Sequence, residues 1–124
     1  MDVAHTAIWV SDLDEARDFF VEDLGLAEQR SHTRNGIENI FVGGEGGSIQ
    51  LRTEPRRRVP SGDRTRMDHL ALSVDDVDAI CSRLSETTDY EVFRPPETLD
   101  ELPVRIAFVE GPDGYAIELV EALE

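Results

Sequence analysis

Four side chains have the types and the spacing to do chemistry together: His5, Gln50, His69 and Glu118. Each histidine opens an apolar run, HTAIWV and HLALSV. The other two sit between branched aliphatic residues, in Ile49-Gln50-Leu51 and Ile117-Glu118-Leu119. The histidines are 64 positions apart and the second pair 68, so the four occupy equivalent places in a unit written twice. Two neutral imidazoles, one amide oxygen and one carboxylate form a mixed N/O donor set for a single divalent cation. Such a set suits Ni, Co, Zn, Mn or Fe better than Mg or Ca. With one negative charge from protein, an M²⁺ centre keeps a net positive charge, enough to polarise a bound carbonyl or acidify a bound water. Polar groups aligned on one face of apolar strands cost free energy unless something satisfies them, which favours a ligand over chance.

The repeat extends beyond these four. Ala7 matches Ala71, Ile8 matches Leu72, Val10 matches Val74, and Asp12-Leu13-Asp14 matches Asp76-Val77-Asp78; Phe41-Val42 answers Phe108-Val109. Self-similarity at a fixed period dictates how a fold is assembled. Residues 3–10 read as a strand, and Ser11-Asp12-Leu13-Asp14 as a helix start with Ser11 as N-cap. Leu13, Ala16 and Phe20 give that helix an apolar stripe, and Leu24-Gly25-Leu26 ends it. Strands are expected over 27–32, 37–43 and 48–53, separated by the tight-turn pair Asn35-Gly36 and by the glycine-rich 43–47. The first module is therefore β-α-β-β-β. Residues 54–66 hold two prolines, a glycine and five arginines, and read as a connector. The second module repeats the order: strand 69–74, helix 76–85, strands 90–93, 104–110 and 115–120, with Pro112-Asp113-Gly114 as the last turn. One domain of two half-units is expected: module one over 1–55, the connector 54–66 and module two over 67–124. Neither half alone has the apolar content for a generous core.

Composition narrows the partners. Twenty-seven acidic residues face twelve basic ones, for a formal charge of −15, and all twelve are arginine. Nucleic acid and anionic membranes both demand clustered cations, so neither is an expected partner. Excess carboxylate without lysine suggests a protein suited to high salt, where screening relieves self-repulsion. There is no long apolar run and no basic, apolar, small-residue leader, so the chain reads as cytoplasmic. Cys81 lies among Val77, Ile80 and Leu84 at helical spacing and reads as a buried packing thiol.

The segments His5-Thr6-Ala7-Ile8 with Asp12-Leu13, Asp18-Phe19-Phe20 and Leu24-Gly25-Leu26, then His69 through Asp75, and Ile106 through Gly111-Pro112-Asp113-Gly114-Tyr115 to Leu119, resemble the vicinal oxygen chelate superfamily. That family includes glyoxalases, methylmalonyl-CoA epimerases, extradiol dioxygenases and fosfomycin or bleomycin resistance proteins. The resemblance covers nearly the whole chain, and its second-half segments look most like bacterial glyoxalase I. It implies an α+β fold of two tandem βαβββ modules forming a half-open mixed β-barrel around a metal site. It also implies a homodimer, in which a partner often completes the site.

By the same resemblance the activity is that of a metal-dependent isomerase acting on an α-hydroxy thiohemiacetal of methylglyoxal through an enediolate. One divalent metal is held by His5, Gln50, His69 and Glu118. Glu118 is the expected general base, since the amide of Gln50 has no useful basicity. Glu38, in GIENIF, is a second candidate base, by likeness to the epimerases. Bacterial glyoxalase I typically has Glu, Arg and Asn where this chain has Gln50, Trp9 and Glu54. Those departures argue against glutathione itself and leave Arg52, or the run Arg56-Arg57-Arg58, to grip another anionic thiol, with Trp9 a further substrate-binding candidate.

Three other readings of the same residues stay open. An acyl-CoA epimerase needs two proton-exchanging groups. An Fe(II) extradiol dioxygenase would use His5, His69 and Glu118 as its two-histidine, one-carboxylate set. A non-catalytic small-molecule binding or resistance protein needs no base at all.

Overall fold

Strand alternation and a few obligatory turns generate the predicted duplication. The computed structural model describes residues 4–55, 67, 69–99 and 103–123, so most of the predicted connector, 56–66, lies outside the described residues. The first unit, Met1–Pro60, runs β1 (His5–Trp9), α1 (Leu13–Asp18), β2 (Ala27–Arg34), β3 (Ile37–Gly44) and β4 (Gly47–Thr53). The second, Ser61–Glu124, runs β5 (Leu70–Ser73), α2 (Val77–Thr87), β6 (Glu91–Leu99), β7 (Val104–Glu110) and β8 (Ala116–Ala122). Both sheets are mixed and share one topology. Their orders are β1-β4-β3-β2 and β5-β8-β7-β6, with only the first strand of each module parallel to its neighbour.

The helix starts differ from expectation by one residue. Asp12, not Ser11, caps α1: its Oδ1 accepts the Glu15 N–H at 3.0 Å. Asp76 caps α2 in the same way through the Ala79 N–H, also at 3.0 Å. A carboxylate at this place satisfies an orphan N–H and meets the positive end of the helix, so the matched aspartates of the repeat were the better signal. Beyond α1 the backbone widens into one π-helical turn, Phe19–Asp23, in which Leu24 N–H reaches the Phe19 carbonyl at 3.0 Å. A wider turn carries an extra residue. Phe19 and Phe20 therefore both turn inward, edge to face at 5.0 Å, where a regular helix would have buried one.

Turns fix the ladders. Asn35 and Gly36 both have positive φ, 54° and 80°, as a two-residue primed turn requires, and they close Arg34 onto Ile37. Asp113 and Gly114 adopt the same region in the turn joining β7 to β8. Strand β6 runs well past the predicted 90–93, through Pro95-Pro96. It is an edge strand, where missing N–H groups cost no ladder bond, and its register slips on either side of Arg94.

Each helix packs on one face of its own sheet. Ile8, Val42, Ile49 and Leu51 are buried along with Ala16, Phe19 and Phe20, and α1 packs on β3 and β4. In the second unit α2 sets Val77, Cys81 and Leu84 towards β6, β7 and β8, whose Val109, Ile117 and Leu119 are fully buried. Each of the buried Val, Leu, Ile and Phe side chains contributes about 1.5–3 kcal/mol over leaving it in water. Residues one position away along each strand face the other side, and these carry the predicted chemistry.

Candidate functional site

In the first unit, register puts His5, Ala7 and Trp9 of β1 on the same face as Ser48, Gln50 and Arg52 of β4. Phe41 and Asn39 of β3 lie opposite Gln50 and Arg52 and share that face. The His5 ring stands edge-on to Phe41, centroids 5.5 Å apart at 88°. Arg30 lies over the same phenyl ring at 4.4 Å, and His32 stacks beside it at 6.1 Å. Arg52 rests over the Trp9 ring at 4.9 Å. Its Nε donates to Asn39 Oδ1 at 2.9 Å, and that same oxygen accepts Gln50 Nε2 at 2.8 Å.

The second unit repeats the pattern. Phe108 lies opposite Glu118 in the ladder, as Phe41 lies opposite Gln50. The His69 ring stands edge-on to Phe108 at 5.7 Å and 81°, and Arg94 lies over it at 5.6 Å. His69 Nε2 is 3.1 Å from Glu118 Oε1. Two donors bonded at about 2.1 Å to one cation, at roughly a right angle, sit about 3.0 Å apart. This pair has the spacing of adjacent ligands, and the carboxylate, largely shielded at 17% exposed, has the chemistry. The nitrogen and oxygen donors of this pair are of the types that hold divalent cations.

The structure thus gathers His5 with Gln50 on one sheet face and His69 with Glu118 on the corresponding face of its twin, with Trp9 and Arg52 beside the first pair. Glu38 is not among them. It pairs with Thr53 and Thr33, on the face that carries Ile40 and Val42, one residue out of phase with Asn39. A one-residue step reverses a strand side chain, and Asn39 holds the place anticipated for Glu38. Asn39 was missed, although its place two residues before Phe41 marks its face. Arg30 and Arg94 were also missed, although they are 64 positions apart, the spacing of the two histidines.

A further group of carboxylates, Asp76, Asp78 and Glu121, comes within 4.8 Å of one another. Each has a task in anchoring α2. Asp76 caps the helix, Glu121 Oε1 accepts the Val77 N–H at 2.8 Å, and Asp78 takes both Nε and Nη2 of Arg105 at 2.7 and 2.9 Å. The Arg105 guanidinium holds the Asp78 carboxyl below its ordinary pKa. Burial pushes the Cys81 thiol up, with Asp78 adding to the shift, so Cys81 is a poor nucleophile. No described helix is long and apolar enough to cross a membrane.

A duplicated βαβββ unit, with a histidine and an oxygen-bearing side chain on the same face of each copy, is the architecture of one superfamily of small proteins. The chain belongs to the Glyoxalase/Bleomycin resistance protein/Dioxygenase superfamily, whose profile matches residues 2–119. It is 31% identical over 96% of its length, and 89% of the relative's, to a probable lactoylglutathione lyase of Vibrio parahaemolyticus. Among solved structures it is similar to the trypanothione-dependent glyoxalase I of Leishmania major, at 27% identity and TM-score 0.79, covering 98% of this chain and 86% of that one. TnmS3, an antibiotic binding protein from Streptomyces sp. CB03234, is similar at 28% identity and TM-score 0.79, covering 98% and 96%.

Proposed function

We propose that the protein is a divalent-metal-dependent isomerase of the glyoxalase I type, acting on the thiohemiacetal that methylglyoxal forms with a thiol. The observation that carries this reading is the repeated histidine and oxygen-donor arrangement, tightest at the 3.1 Å contact of His69 with Glu118. The lactoylglutathione lyase relative supports it. In this reading His5, Gln50, His69 and Glu118 hold one cation of the Ni, Co, Zn, Mn or Fe type. Bound there, the cation supplies Lewis-acid stabilisation of negative charge developing on the substrate's vicinal oxygens. Glu118 accepts the proton from the thiohemiacetal carbon, giving an enediolate, and returns it to the neighbouring carbon, so the reaction is a redox-neutral isomerisation. Gln50 has no basicity for this step, and Glu38 faces the other side of β3, so the base role falls to Glu118 alone. Arg52, with Nε held by Asn39, turns its terminal nitrogens to an anionic part of the thiol, beside Trp9. The active form is a cytoplasmic homodimer.

The test is metal analysis of protein purified without chelator, joined to an assay of methylglyoxal with several thiols in high salt. Metal-dependent thioester formation is expected. General base catalysis contributes about 10²–10⁴-fold, so Glu118→Gln, assayed at saturating metal, should lose at least about 10²-fold in kcat. Survival of activity in that variant would overturn the assignment of the base. The likeness to TnmS3 favours one other reading, a sequestering module. It would bind a small molecule tightly with no turnover and with no need of metal.

A further inference from the structure

We infer that Asn39 is the positioning residue that makes Gln50 usable as a metal ligand. The inference rests on the ligand role proposed for Gln50 above. A carboxylate offers an oxygen whichever way it is turned, whereas a carboxamide offers an oxygen at one end and a non-ligating NH₂ at the other. A glutamine in the ligand set therefore needs its amide orientation fixed, and three hydrogen bonds fix it here. Arg52 Nε can only donate, so the Asn39 atom 2.9 Å away must be the oxygen. The Asn39 Nδ2, placed at the other end, donates to the Ile37 carbonyl at 3.2 Å. Gln50 meets that same Asn39 oxygen at 2.8 Å and must do so with its NH₂, which leaves Oε1 as the end for a cation. Asn39 is 2% exposed, the one buried polar residue among the described residues, so solvent does not compete for the bond.

The second module supplies an internal control. Its ligand at the place of Gln50 is Glu118, which needs no orientation. The residue two before Phe108, in the place of Asn39, is the apolar Ile106, and Arg52 is answered by Val120. The relay is present where the ligand is an amide and absent where it is a carboxylate.

The experiment measures Co²⁺ and Zn²⁺ affinity by calorimetry for wild type, Asn39→Leu, Asn39→Asp, Gln50→Glu and the double variant Asn39→Leu with Gln50→Glu. Side-chain amide NMR of metal-free protein runs alongside. Losing a group that orients a ligand typically costs about 10–100-fold in metal affinity. Asn39→Leu should show such a loss, together with loss of the hydrogen-bonded Gln50 NH₂ signature. Asn39→Asp, which keeps an acceptor for both donors, should retain most of the affinity. In the Gln50→Glu background Asn39→Leu should cost nothing further, a result that a merely structural role for Asn39 would not give. Where Asn39→Leu fails to fold by circular dichroism, Asn39→Ala carries the same comparison. Equal affinity in wild type and the Leu or Ala variant, or an equal loss in both backgrounds, overturns the inference and leaves the proposed function standing. A wild type that binds no divalent cation overturns both.

Discussion

Replacing Gly43 by alanine and, separately, its neighbour Gly44 tests how the β3–β4 hairpin holds the sheet face that carries Gln50. Gly43 is buried and faces Ser48 across the ladder. A Cβ there would run into the Gly47 carbonyl oxygen and approach Ser48 Cα to 3.0 Å. Both obstacles are backbone, so no side-chain rotation relieves them. At Gly44 an added Cβ meets nothing within 4 Å. Both substitutions remove a similar amount of unfolded-chain freedom, about 0.4–1 kcal/mol in favour of folding, and this cancels between them. What remains is the overpacking at Gly43, about 1–3 kcal/mol. For a chain of this size that separates the two variants by roughly 3–10 °C in Tm. Differential scanning calorimetry and urea melts of both variants measure it. Ser48 is also the parallel-ladder partner of His5 and lies two residues from Gln50, so the Gly43 variant should bind divalent metal more weakly than the Gly44 variant. Coincident melting of the two, or a more stable Gly43 variant, would refute the packing argument.

Further outcomes follow from the charges and the thiol. Asp78 is held below its ordinary pKa of 3.8 by Arg105, so the stability this pair adds is present above that value and lost as pH falls through the folded one. Arg105→Met should therefore lower Tm at pH 7, and the gap to wild type should narrow in melts taken progressively below pH 3.8. With a net charge of −15, the protein should melt higher in multimolar KCl than in dilute buffer, since the Debye length falls to about 3 Å at 1 M. A higher Tm in dilute buffer would dismiss the high-salt reading. Cys81, buried and with its thiol pushed up, should react with a disulfide reagent orders of magnitude more slowly in the native state than in urea; fast native labelling would contradict its packing role.

The duplication was legible because a repeated fold writes the same residue types twice: His5 with His69, Phe41 with Phe108, Asp12 with Asp76. What escaped was phase and partner. Ser11 and Asp12 are both good caps, and only the backbone decides which one reaches an N–H. Glu38 and Asn39 differ by one step along a strand, and that step separates the two faces of the sheet. A carboxylate draws attention as a base, while an amide reads as neutral filler until its hydrogen bonds are seen. The π-helical turn was invisible because the Phe19-Phe20 pair fits a helical stripe at only one of its two positions. Long β6 was hidden by Pro95-Pro96, which argue against a strand unless it is known to lie at an edge.

That edge has a bearing on solubility. A bare strand margin is a template on which another chain can add itself, and like-charged surfaces ordinarily keep copies apart. In concentrated electrolyte such repulsion reaches little further than the width of a water molecule. Two consecutive imino acids on β6, with no amide hydrogens to offer and a slipped register on both sides, discourage lateral growth by geometry, a safeguard that dissolved ions do not weaken.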